Sequence, residues 1–144
     1  MSGIRKVTPE EAAELIEAGY VYLDVRSEPE FEQGHVPGAF NVPLMHFGPG
    51  GLTPNGEFMQ VVESAFGKNE KLVVGCRSGG RSQRAVQLLA AAGYSDLVDL
   101  PAGWEGARDP FGRMTPGWSK KGLPVETGKP TGQRYEDVKQ RKPA

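Results

Sequence analysis

The sequence predicts a single three-layer α/β domain with a mainly parallel central sheet flanked by helices on both faces. Three observations carry this reading. Short β-branched runs alternate with helix-length segments. Those runs are apolar through most of their length, as strands covered on both sides are. The helical segments bring their own start and stop residues. At 144 residues the chain can bury one real core but not two.

In "VTPEEAAELIEAGY", Thr8 and Glu11 have capping-box spacing, Pro9 takes the first helical position and Gly19 supplies the stop. "VYLDV" (Val21–Val25) is a strand ending beside a carboxylate. "RSEPEFEQG" repeats the cap, with Ser27 and Glu30 at the same spacing and Gly34 as terminator after one or two turns. "AFNVP" is a short strand stopped by Pro43, and the glycine-rich stretch Gly48 to Gly56 reads as a loop. In "EFMQVVESAFG", Phe58, Val61, Val62 and Phe66 recur near helical spacing. "KLVVGC" is the next buried strand. "SQRAVQLLAAAGY" is a helix with Ala85, Val86, Leu88, Leu89 and Ala92 inward and Gly93 as its end, and "DLVDL" is the last strand. Beyond Thr127 there is no apolar period, so residues 1–125 form the expected domain and 126–144 a mobile C-terminal tail.

A formal charge of −1 with both signs interspersed gives no basic footprint for nucleic acid, and no apolar run is long enough for a bilayer. A helix signal follows Met1 almost at once, so no leader is expected. With one cysteine no internal disulfide can form, so a cytoplasmic, reducing setting is expected. Two histidines and one cysteine far apart make a poor metal set; neither metal nor cofactor is expected.

"KLVVGCRSGGRSQRAV" puts that cysteine, Cys76, between a strand and a helix. In such folds ligands bind at the carboxyl ends of strands. Amides at a helix start lack intrahelical acceptors and favour negative charge. Gly79 and Gly80 permit a tight turn, and Arg77 and Arg81 add positive charge. A free thiol titrates near ~8.5, whereas helix N-termini and cationic neighbours bring cysteines to ~3.5–7.5. The loop therefore favours a thiolate nucleophile inside an anion cradle formed by Arg77, Ser78, Gly79, Gly80, Arg81 and Ser82. A buried, inert cysteine is the plainer alternative, but two guanidinium groups beside it speak for reactivity.

Two thiolate chemistries use such cradles. Phosphatases place five residues between cysteine and arginine; here four separate Cys76 from Arg81, and the next residue is Ser82. "CRSGGRS" instead resembles the active-site loop of the rhodanese domain. "YLDVRSEPEFEQGHVPGAFNVP" is similar to that family's Asp-x-Arg strand end and Gly-His-Ile/Val-Pro-Gly-Ala-x-Asn signature, and "GYSDLVDLPAGW" resembles its last strand and exit. The likeness spans roughly residues 5 to 125.

The resemblance implies ping-pong sulfur transfer. Cys76 would take a sulfane sulfur from an anionic donor such as thiosulfate and pass it to an external thiol, cyanide or a protein acceptor, through a persulfide stabilised by the loop amides. A sulfur-carrier or docking module with little turnover, and a related cysteine phosphatase or arsenate reductase, are the competing readings. The family pattern makes Asp24 and Arg26 a structural pair near the site and His35 a loop-fixing residue without proton transfer. Ala102 and Ala107 depart from the family's glycine and second tryptophan, so the resemblance leaves Trp104 two places, at the pocket rim or in ordinary packing. Trp118 is expected to pin the C-terminal segment, His46 to be exposed, and "KQRK" (Lys139 to Lys142) to be a solvated end.

Overall fold

The computed structural model describes residues 4–143; the first three residues of the expected domain and Ala144 of the expected tail lie outside the described residues. Five strands form the central sheet: β1 (Arg5–Lys6), β2 (Val21–Asp24), β3 (Phe40–Asn41), β6 (Leu72–Gly75) and β7 (Leu97–Leu100). Their order is β1-β7-β6-β2-β3 and every pairing is parallel. The register aligns Asp24, Gly75 and Leu100 at one edge, with Asn41 opposite Asp24. Four strand ends therefore open onto one side of the molecule.

Alternation along the strands divides the core into two layers. Leu23, Leu72, Val74 and Leu97 face α3 (Phe58–Ala65), α4 (Gly80–Ala91) and the short α5 (Tyr135–Val138). Tyr22, Val73, Val98 and Leu100 face α1 (Pro9–Glu17), α2 (Glu28–Gln33) and Trp118. This is the three-layer arrangement the sequence predicts. Local punctuation also follows the residues. The Thr8 hydroxyl accepts from the Glu11 amide at 3.1 Å while the Glu11 carboxylate accepts from the Thr8 amide at 2.9 Å. No helix among the described residues is long and apolar enough to cross a membrane.

Some expectations need correcting. Gly34 does end α2, but at φ 165° its backbone suits any residue; a Cβ there would lie 2.9 Å from the Trp104 ring, and that contact demands glycine. The stretch read as a loop is an antiparallel hairpin of β4 (Met45–Gly48) and β5 (Gly51–Pro54), and a second hairpin pairs β8 (Gly106–Arg108) with β9 (Met114–Pro116). His46 is half-buried, its ring 5.8 Å from that of Tyr135.

The segment expected to be a mobile tail from 126 packs on the domain. Glu126 exchanges backbone hydrogen bonds with His35, and Tyr135 and Val138 are buried in the core. Arg141 lies 4.7 Å from the ring centres of both Phe40 and Phe66 and donates to the Ala65 carbonyl. Two apolar residues on a single helical turn are too few to register as a period, and a guanidinium on aromatic rings buries polar sequence.

Candidate active site

Cys76 follows β6, the strand at the centre of the sheet. Its side chain is buried, yet it lines an open cavity of about 460 Å³ together with Leu44, Met45, Arg77, Ser78, Arg81 and Arg84. The Gly79 amide donates to the sulfur at 3.1 Å. Among the described residues, the amides of Arg77, Ser78, Gly80, Arg81 and Ser82 have no hydrogen-bond acceptor. They are donors without partners at the start of α4, whose dipole favours negative charge there.

The loop holds this shape through close backbone approaches. Gly79 has φ 99°, and a Cβ on it would sit 2.6 Å from the Pro101 carbonyl oxygen. Gly103 has φ 61°, and a Cβ there would lie 2.5 Å from the Cys76 carbonyl oxygen. The Trp104 and Glu105 amides donate to the Cys76 and Arg77 carbonyls at 2.8 and 2.9 Å. "PAGW" is thus the back wall of the cysteine loop. Gly80, by contrast, opens α4 with empty space where a Cβ would be, so only the first of the paired glycines is required. The Ser82 hydroxyl is buried and donates to the Gly79 carbonyl at 3.2 Å, tying the turn to the first turn of the helix.

The arginines divide by partner. Arg81 forms a two-pronged pair with Glu30, at 2.7 and 3.1 Å. Glu30 also accepts from the Ser27 amide and hydroxyl, so one carboxylate caps α2 and holds the cysteine loop. Burial works to raise that carboxyl, but the Arg81 guanidinium and the Ser27 donors outweigh it and bring it down to about 2. The same bond to Glu30 raises Arg81. Arg77 and Arg84 are exposed and have no carboxylate within ion-pair distance among the described residues. Arg84 was not singled out in the sequence; its signal is its position one turn after Arg81 on the same helix.

Asp24 and Arg26 are buried and paired at 2.7 Å, with Arg26 also donating to the Gly34 carbonyl at 2.7 Å and lying 5.0 Å from the Trp104 ring centre. Asn41 donates to the Asp24 and Arg26 carbonyls, fixing the β2 exit, where the Val25 carbonyl accepts from the amide of the cavity-lining Leu44 at 3.0 Å. Trp104 does not line the Cys76 cavity. It borders an adjoining cleft with Arg26, Gln33, Arg77 and Glu105. His35 is fully buried, stacked on Phe31 at 3.8 Å, with its ring nitrogens on the Phe31 carbonyl and the Glu126 carboxylate, so it braces the C-terminal segment. Trp118 is buried and donates to the Pro124 carbonyl at 2.7 Å. No three His, Cys, Asp or Glu side chains converge among the described residues.

Residues 8–109 match the family of rhodanese-like domains. The chain is 41% identical over 115 residues to thiosulfate sulfurtransferase 16, chloroplastic, of Arabidopsis thaliana, covering 80% of this chain and 87% of that protein. It is 38% identical over 115 residues to senescence-associated protein DIN1 of Raphanus sativus, covering 80% of this chain but 57% of that longer protein. Among solved structures, Rv0390 from M. tuberculosis superposes with a TM-score of 0.70 at 26% identity, covering 88% of this chain and 100% of that one. With the strand-end cysteine, its amide-rimmed turn and these likenesses together, the chain belongs to the rhodanese-like domain family.

Proposed function

We propose that the protein is a sulfurtransferase that carries a sulfane sulfur on Cys76 between an anionic donor such as thiosulfate and a thiophilic acceptor. The observation that carries this reading is the Cys76 sulfur at the edge of a cavity rimmed by unpartnered amides, in a turn one residue shorter than a phosphate cradle. The Cys76 thiolate attacks the outer sulfur of thiosulfate. The donor's S–S bond breaks, its electron pair leaves on sulfite, and a new S–S bond forms on Cys76. An acceptor nucleophile then attacks the outer sulfur, and the pair of the breaking bond returns to Cys76. No net oxidant or reductant is needed.

The loop amides from Arg77 to Ser82 stabilise the persulfide anion as preorganised donors. Arg77 and Arg84, which have no carboxylate within ion-pair distance among the described residues, draw the dianionic donor in. Arg81 acts through Glu30 as a positioning residue that fixes the turn. The rhodanese relative named thiosulfate sulfurtransferase 16 supports the choice of donor.

Intact mass after incubation with thiosulfate tests the reading. The expected result is a gain of one sulfur atom, absent in Cys76→Ala and removed by cyanide or dithiothreitol. No adduct with any of several sulfane donors would overturn it in favour of a docking module without turnover.

A further inference from the structure

We propose that the acceptor is a protein, engaged through an acidic segment that carries an apolar side chain beside its thiol, and that it docks on the β4–β5 hairpin next to Cys76. The inference rests on the sulfur-transfer reading above. Phe47 and Leu52 are directly paired across the hairpin, and 65% and 42% of their surfaces are exposed. They border a cleft of about 320 Å³ with Pro29, Gln33, Arg77 and Arg81. Arg77 and Arg81 also line the Cys76 cavity, so the apolar pair and the sulfur share one continuous surface. Met45 and Phe47 lie on the same face of β4, the first turned to the sulfur cavity and the second to the outer cleft.

Single exposed apolar residues need no explanation. Here an aromatic and an aliphatic residue are paired across the hairpin at the mouth of a reactive site, where a small anion or thiol would leave both wet. An apolar anchor from a larger partner covers them, and anchors of this kind dominate protein recognition. Charge sets the rest of the partner's chemistry. Arg81 is neutralised by Glu30 and Arg26 by Asp24, and Glu105 faces Lys120 at 3.7 Å. Arg77 and Arg84 remain uncompensated among the described residues, so the mouth is cationic and selects an acidic segment. In the handover the partner's thiolate attacks the outer persulfide sulfur. The S–S bond to Cys76 breaks with its pair returning to Cys76, and the partner leaves as the persulfide.

The test preloads the full-length protein with thiosulfate and follows single-turnover sulfur loss to three probes. These are free cysteine, a short peptide with one cysteine flanked by leucine and aspartates, and the same peptide with lysines for aspartates. The aspartate peptide should take sulfur about tenfold faster than cysteine, and the lysine peptide should not. Added salt should erase the difference between the peptides. Phe47→Ser with Leu52→Ser should lose the preference about tenfold, while loading by thiosulfate and discharge to cyanide stay unchanged. Phe47→Ser alone should lose part of it. Equal rates for the aspartate peptide and cysteine, or a preference that survives both serine substitutions, would overturn the docking surface while sulfur transfer stands. Failure of thiosulfate to load Cys76 would overturn both.

Discussion

The cysteine loop Cys76–Ser82 and the hairpin Met45–Pro54 are both rich in glycine and border neighbouring parts of one cavity, but they are held in opposite ways. In the loop, Gly79 approaches the Pro101 carbonyl, Gly103 presses on Cys76 and Arg77 from behind, and Glu30 clamps Arg81. In the hairpin, a Cβ on Gly48 or Gly50 would meet nothing within 4 Å. The hairpin is anchored near its foot, where the Asn55 side-chain amide donates to the Pro43 carbonyl and the Tyr135 hydroxyl. The loop must hold a sulfur and its donors in one geometry, which rewards rigidity. The hairpin presents surface, and presentation tolerates change.

Substitutions can break this contrast at its strongest point first. Gly103→Ala forces a methyl into the Cys76 and Arg77 carbonyls at a left-handed backbone position. It should cost about 4 kcal/mol in urea unfolding and slow sulfur transfer about a hundredfold. Tyr135→Ala empties a buried site under the hairpin's foot; a loss of about 3 kcal/mol is expected, with cyanide turnover in the folded fraction within about twofold of the parent.

Arg81→Ala and Glu30→Gln each unlatch the loop from α2. Stopped-flow loading should slow about tenfold, with a stability cost of about 1–2 kcal/mol. The Glu30 carboxyl is lower in the folded protein than its ordinary value of 4.5, so the pair's contribution is whole above pH 4.5 and is lost as pH falls through about 2. Melting temperatures measured down that range should converge for the parent and Glu30→Gln. Gly50→Ala should be the mildest change, within about 0.5 kcal/mol and without effect on loading. A large effect there would mean the hairpin is as constrained as the loop.

The same contrast marks where sequence reading succeeds. Caps, stops and apolar strands are local, so α1, α2, β2, β6, α4 and β7 could be read from neighbouring residues. The loop's spacing was equally local: four residues separate Cys76 from Arg81, one fewer than in a phosphate cradle. The hairpin was hidden because its exposed apolar pair has no buried face to impose a period of two. The C-terminal segment was hidden because Tyr135, Val138 and Arg141 gain their burial from partners far away in the chain.

The sequence by itself determined the alternation of strand and helix, the position of Cys76 at a strand end and the composition of its turn. These depend on backbone preference and hydrophobic pattern over a few residues. Only the tertiary structure decided which of three arginines is paired. Arg77, Arg81 and Arg84 are alike in sequence, but α2 brings Glu30 to Arg81 alone, so that one clamps the loop while the other two give the cavity its charge. A side chain's electrostatic role is set by what long-range packing places within a few ångströms of it, and no local pattern encodes that.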